Sequence, residues 1–345
     1  MISIKLLGSV AVVASIGAGA LVSSGAGRAP AIQRVDFDSS ITATQPAYNA
    51  ELPMASDAGI KEFRIPIKNA RLEIAAGVTY DGWTFGGTVP GPAIHVHQGD
   101  RVRITVVNES PMPHSIDFHA ARIPANVAYR TIMPKDSVRF EFVARDPGAF
   151  LVHCGTPPVT MHLMQGMYMT MIVDPRGGWG TRADREFVLV QSEFYAKPGD
   201  STKVDGALPV PMQPDWQGAM AKSAAYVTFN GRAFQYKAHP LQVNVGDRVR
   251  IFVVNAGPSF ASDFHVVGAL FDRVYPDGDP SHMLTGVQTF TVPAGGGAVF
   301  ETVFDREASG EGLYAFVTHS FADAEKGAVG IIRVGAPTQF ATMNH

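Results

Sequence analysis

Gly99-Asp100-Arg101-Val102-Arg103-Ile104-Thr105-Val106-Val107-Asn108 returns 147 residues later as Gly246-Asp247-Arg248-Val249-Arg250-Ile251-Phe252-Val253-Val254-Asn255. A chain that writes one unit twice is expected to fold as two copies of one architecture. Each copy turns at Gly-Asp and then alternates polar and apolar residues with period 2, the pattern of a half-buried β-strand. The correspondence runs on beyond the strand. Asp117-Phe118-His119 is answered by Asp263-Phe264-His265, Val152-His153-Cys154 by Thr318-His319-Ser320, and Gly166-Met167 by Gly327-Ala328.

The remaining punctuation fits two such units. At 345 residues the chain exceeds the size at which one hydrophobic core keeps growing. Val138–Val143, Met169–Val173 and Glu186–Val190 read as further strands between Gly and Pro turns, with only short helices, for instance near 213–224 and 321–326. The expectation is an all-β chain of two tandem β-sandwich domains. The first spans 59–175 and the second 184–335, joined by Pro175-Arg176-Gly177-Gly178-Trp179-Gly180 and preceded by a polar extension over 31–58. Residues 1–30 carry Lys5, an apolar run from Leu6 to about Val22 and a string of small residues, which reads as a signal peptide. The expected location is therefore periplasmic or secreted, with no membrane span in the mature chain. A net charge of −3 gives no reason to expect nucleic acid as a partner.

Chemistry concentrates around His153-Cys154. Cys154 is the only cysteine, and His162 and Met167 follow it in the spacing H-C-x7-H-x4-M. Singly, a buried Cys, a gap-filling Met or a core His calls for no special reading. A thiolate, an imidazole and a thioether in one short loop, with a second imidazole from upstream His114, form the ligand set of a blue copper site. Export sharpens this, because an unpaired thiol in an oxidising compartment needs something to hold it. The second copy has lost that set, with Phe260, Ser320, Asp323 and Ala328 standing for His114, Cys154, His162 and Met167. It retains His265 and His319, the counterparts of His119 and His153, and packing alone does not explain that selection.

Together, M-P-H-S-I-D-F-H at 112–119, V-H-C-G-T-P-P-V-T-M-H-L-M-Q-G-M at 152–167, D-F-H-V-V-G at 263–268 and V-T-H-S at 317–320 resemble the copper-containing nitrite reductases. The resemblance covers about residues 60–335 and implies two cupredoxin domains with Greek-key topology. It implies one type 1 copper per chain on His114, Cys154, His162 and Met167. It also implies one type 2 copper on His119 and His153 of one subunit and His319 of the next, in a homotrimer. Electrons from a small cupredoxin or cytochrome c would pass through Cys154-His153, with nitrite as substrate and nitric oxide as product. Asp117 would hydrogen-bond the bound oxygen and His265 would relay protons.

Three features depart from or lie outside that pattern. The Cys154-to-His162 loop is one residue shorter than in the best-studied members, Val267 stands where those often carry Ile, and with no C-x-x-C-H in this sequence a fused c-type haem domain is not expected. His95 and His97 share one strand face by period 2 and are expected on a solvated or interface surface rather than at a metal. A two-domain multicopper oxidase reducing oxygen is the alternative, but it needs paired H-x-H motifs and an H-C-H, whereas the cysteine here reads His153-Cys154-Gly155. A plain electron carrier would leave His119, His265 and His319 without a role.

Overall fold

A computed structural model describes residues 30–38, 49–199, 210–305 and 310–335. The leader expected at 1–30 lies outside the described residues apart from its last position. Among the described residues no helix is long and apolar enough to cross a membrane.

Four sheets stack face to face. The first follows the order β1 (Ile32–Asp36), β2 (Ile60–Ala75), β5 (Arg101–Asn108) and β7 (Ser137–Val143), with β3 (Val78–Phe85) also paired to β2. The second runs β4 (Ile94–His97), β9 (Tyr168–Asp174), β8 (Gly148–His153) and β6 (Asp117–Phe118). Between them lies one core, including Val102, Ile104, Phe118, Phe140, Val152 and Met171. The third sheet is β13 (Tyr226–Phe229), β10 (Arg185–Phe194), β15 (Arg248–Gly257), β19 (Gly297–Val303) and β17 (Arg273–Pro276). The fourth is β14 (Leu241–Val243), β21 (Val329–Val334), β20 (Gly312–Thr318), β16 (Ser262–Val266) and β18 (Thr289–Val292), and a second core fills the space between these two. β11 (Ala196–Lys197) and β12 (Gln213–Pro214) form a small ribbon. Short helices complete the chain: α1 (Ala125–Ala128), α2 (Val159–Met164), α3 (Trp216–Met220), α4 (Gln235–Ala238) and α5 (Phe321–Ala324).

Strand patterning follows position in this stack. β7 lies in an outer sheet and alternates strictly, with Val138, Phe140 and Phe142 inward and Ser137, Arg139 and Glu141 outward. β9 and β15 read as nearly continuous apolar runs because their sheets are covered on both faces. Ala149, Leu151, Tyr168 and Ile172 of the second sheet pack on Val188, Val190, Phe252 and Val299 of the third. That apolar layer fixes the N-terminal sheet pair on the C-terminal one.

The repeat is reproduced down to single hydrogen bonds. The Asn108 side-chain amide donates to the carbonyls of Met112 and Ile132 at 2.7 and 2.9 Å, and the Asn255 amide donates to those of Phe260 and Val292 at 2.8 and 3.0 Å. β2 runs parallel to β5 as β10 runs parallel to β15, with antiparallel β7 and β19 on the far side of each.

Two expectations are revised. The 31–58 extension is more than a polar lead-in: Ile32–Asp36 pairs in parallel with the edge of β2, and Phe37 is buried against Phe63. Further on, Ala50 and Leu52 bond to the backbone of β10. The unpaired edges of β2 and β10 supply the partner groups, so backbone pairing rather than side-chain pattern orders this segment. His95 and His97 do share a face of β4, but His95 is not solvated, its side chain being only 7% exposed. Its Nδ1–H donates to the Pro53 carbonyl at 2.6 Å, and its Nε2 lies 2.9 Å from the Asp174 carboxylate.

Candidate metal centres

Adjacent residues at the end of β8 serve two different sites because side chains alternate across a strand. Cys154 turns into the core and is fully buried, whereas His153 points to the opposite, more open side. After Cys154 the chain loops through Pro157 and Pro158 into α2. Prolines suit a helix start, where the missing N–H would have no helical partner. α2 ends at Met164 and the chain turns at Gly166, whose φ of +106° and proximity to Val89 leave room only for glycine. The chain then closes on itself, Cys154 N–H donating to the Met167 carbonyl and Met167 N–H to the His162 carbonyl, both at 3.1 Å. A loop of this shape returns His162 to Cys154.

His114 arrives from the other side, pinned by backbone bonds with Ile132. Its Nδ1 lies 3.1 Å from Nδ1 of His162, which in turn lies 3.2 Å from the Cys154 Sγ. Ser115 N–H donates to the same sulfur at 3.3 Å. His114 is pushed down to about 4, by burial first and then by the neighbouring His162, and burial pushes His162 down to about 4 as well. Both rings are thus neutral at pH 7, and the buried Nε2 of His114 has no hydrogen-bond partner. Two neutral imidazole nitrogens and a sulfur converging in a dry pocket fit a soft, thiolate-selected metal such as copper. Met167 is fully buried in the same core.

The second cluster joins Asp117, His119 and His153. β6 pairs with β8 in a register that sets Asp117 opposite His153, leaving the Asp117 Oδ2 3.9 Å from the His153 Nε2. The His119 Nδ1 is 3.1 Å from the Gly295 carbonyl and the His153 Nδ1 is 2.9 Å from the Cys154 carbonyl. A carbonyl only accepts, so both Nδ1 atoms carry the proton and both Nε2 atoms present lone pairs. Those Nε2 atoms face each other at 3.1 Å. Two lone pairs so placed want a cation between them, and backbone-fixed tautomers are the usual support of metal-bound histidine. The His119 pKa is lowered, by burial first and then by His153, which keeps it available as a neutral ligand.

His265 and His319 form a third group, their rings 4.9 Å apart, with exposed Phe321 against His319 at 4.9 Å. The His265 Nδ1–H donates to the Gln288 carbonyl at 2.6 Å. His319 belongs to neither cluster of donor atoms found among the described residues of a single chain. Sequence reasoning did not single out Ser115, Gly295 or Trp83. Gly295 acts through its backbone carbonyl, which carries no residue signature, and Ser115 through its backbone N–H together with a hydroxyl that accepts from Gly155 N–H; Trp83, whose ring touches both His114 and His162, lies far upstream on β3.

Fold and donor sets together define a copper protein of the cupredoxin type, and residues 67–178 match the multicopper oxidase family. A copper-containing nitrite reductase of Neisseria gonorrhoeae is 38% identical over 264 residues, spanning 75% of this chain and 64% of that protein. The same-named protein of Cereibacter sphaeroides is 30% identical over 309 residues, spanning 84% of this chain and 80% of its own length. The copper nitrite reductase structure from Nitrosomonas europaea superposes with a TM-score of 0.71 and 35% identity, covering 80% of this chain and 94% of that one. The chain belongs to the copper-containing nitrite reductase family. It spans 64% of the length of the Neisseria gonorrhoeae relative, a little under two thirds.

Proposed function

We propose that this protein reduces nitrite to nitric oxide with two coppers per chain, in the periplasm and as a step of denitrification. The observation that carries this reading is the pairing of a buried Cys–His–His set with a facing His–His set through the single peptide link of His153-Cys154. His114, Cys154, His162 and Met167 would hold the type 1 copper, and His119 and His153, with His319 of a neighbouring subunit, the type 2 copper. When bound, copper supplies one-electron transfer at the first set and Lewis acidity with an open position for an anion at the second.

The rest falls to the chain. Nitrite takes up one electron and two protons and leaves as nitric oxide and water. Cys154 and His153 are consecutive, so one short covalent path links the two donor sets for an electron delivered by a small cupredoxin or cytochrome c. Asp117 stands opposite His153 and is placed to hydrogen-bond a substrate oxygen. His265 has committed Nδ1 to Gln288, so Nε2 is the atom that takes and gives a proton.

Assembly supports the same reading. His319 stands apart from the His119–His153 pair, and exposed Val267, Leu270 and Phe321 lie close to His265 and His319 in the sequence. A head-to-tail contact that brings His319 onto a neighbour's pair must close as a ring, and a homotrimer is our reading. His265 travels with His319, its ring being 4.9 Å away. We also read the two sheet pairs as two cupredoxin domains, 59–175 and 184–335.

Copper analysis with visible and EPR spectra tests the site assignment. Wild type should hold two coppers per chain, one strongly coloured, and Cys154→Ala should lose the colour while keeping the other copper. A Cys154→Ala protein that kept its visible band would refute it.

A further inference from the structure

His114 is fully buried and His162 nearly so, which leaves neither imidazole an open route to solvent. The layer over them is Trp83. Its indole ring lies 5.3 Å from the His114 ring at 68° and 4.9 Å from the His162 ring at 61°, edge-on to both. The two imidazoles are themselves 5.1 Å apart, so the three rings form one contiguous aromatic group. Among the described residues no other aromatic ring meets both imidazoles. Trp83 alone of the three is partly exposed.

Its position is built, not incidental. Trp83 N–H donates to the Gln165 carbonyl at 3.0 Å, tying β3 to the end of α2, the helix that carries His162. Register on β2 sets Trp83 opposite Asn69. Gly82 permits the close approach, since a Cβ there would meet the Gln165 carbonyl at 2.7 Å.

The geometry points to Trp83 as the electron intake of the blue site: its ring shuts water and small reagents away from His114 and His162 and is the surface through which a protein donor reaches them. This rests on the reading of His114, Cys154 and His162 as copper ligands. Two consequences oppose each other in sign. Removing the ring opens the imidazole edges to a small reductant. It also takes away the aromatic contact a protein donor uses, and tryptophan is the side chain whose truncation most often costs an interface heavily.

The test uses copper-loaded wild type, Trp83→Phe and Trp83→Leu, and follows bleaching of the visible band by stopped flow. The small reductant is hexaammineruthenium(II) and the protein reductant is reduced cytochrome c. In Trp83→Leu the small complex should bleach the band several-fold faster while cytochrome c becomes about tenfold slower, a change on the scale of one lost interface anchor. Trp83→Phe, which keeps a ring, should stay within about threefold of wild type with both. Copper titration supplies a readout free of turnover: quenching of indole emission should be largely lost in Trp83→Phe, although Trp179 and Trp216 remain. Equal rates in all three proteins, or equal slowing of Trp83→Leu with both reductants, would overturn the assignment. A band that forms normally in all three upholds the copper ligands whatever the rates do, so the two claims fail separately.

Discussion

His265 differs from His119 and His153 in what its second nitrogen meets. All three donate Nδ1–H to a backbone carbonyl, but the Nε2 atoms of His119 and His153 face each other, whereas in our reading that of His265 is left to carry a proton. Replacing it should therefore spare the metals and hurt the chemistry. His265→Ala should keep the visible band and copper content and lower nitrite turnover by ~10²-fold, the scale of a lost general acid. Unchanged steady-state turnover would make His265 a structural residue. At this scale the sequence was informative where identity carries chemistry, as with Cys154, the only thiol in the chain. It was silent where a backbone atom does the work, as with Gly295, whose carbonyl sets the tautomer of a histidine 176 residues away.

The Asp174 carboxylate at the end of β9 gathers two segments, accepting from His95 of β4 and from Trp179 of the linker, while His95 also holds Pro53 of the N-terminal extension. Burial alone would push His95 down. Burial is the largest single influence, but the bond to Asp174, the charge of Asp174, the Pro53 carbonyl and Glu186 together exceed it and hold His95 above its ordinary 6.5. For Asp174, burial is the largest single influence and would raise the carboxyl, but the bond and charge of His95 with the Trp179 bond and the charge of His97 together exceed it and hold the group below its ordinary 3.8. The signs follow. The His95 share of stability is complete below 6.5 and lost as pH rises through its higher folded value; the Asp174 share is complete above 3.8 and lost as pH falls through its lower one. His95→Ala should cost about 2 kcal/mol near pH 6, since it removes hydrogen bonds involving charged groups. The difference from wild type should shrink near about pH 9. Denaturant unfolding at the two pH values checks this, and a cost independent of pH would show that the pair is not charged. Strictly alternating strands such as β7 were readable from pattern. This clasp was not, because its three parts come from segments far apart in the chain, and β1 was not, because five residues on a sheet edge show no usable period.

For the whole molecule, the repeat announced two related sheet pairs, and the replacement of His114, Cys154, His162 and Met167 in the second copy with retention of two histidines points, in our reading, to copies that divide the labour. What a single chain does not complete is the His119–His153 set, for which His319 is the missing partner in our account. If that partner comes from a neighbour in a closed ring, each interface needs His119 from one chain and His319 from the next. The most direct measurement is nitric oxide release from nitrite under argon by His119→Ala and His319→Ala proteins, assayed singly and after subunit exchange. Each alone should be inactive, and an equal mixture should recover about one quarter of wild-type activity, the fraction of interfaces that collect both intact halves when chains mix at random. Verified exchange with no recovery, or wild-type protein that sediments as a monomer while still releasing nitric oxide, would contradict a site shared between chains.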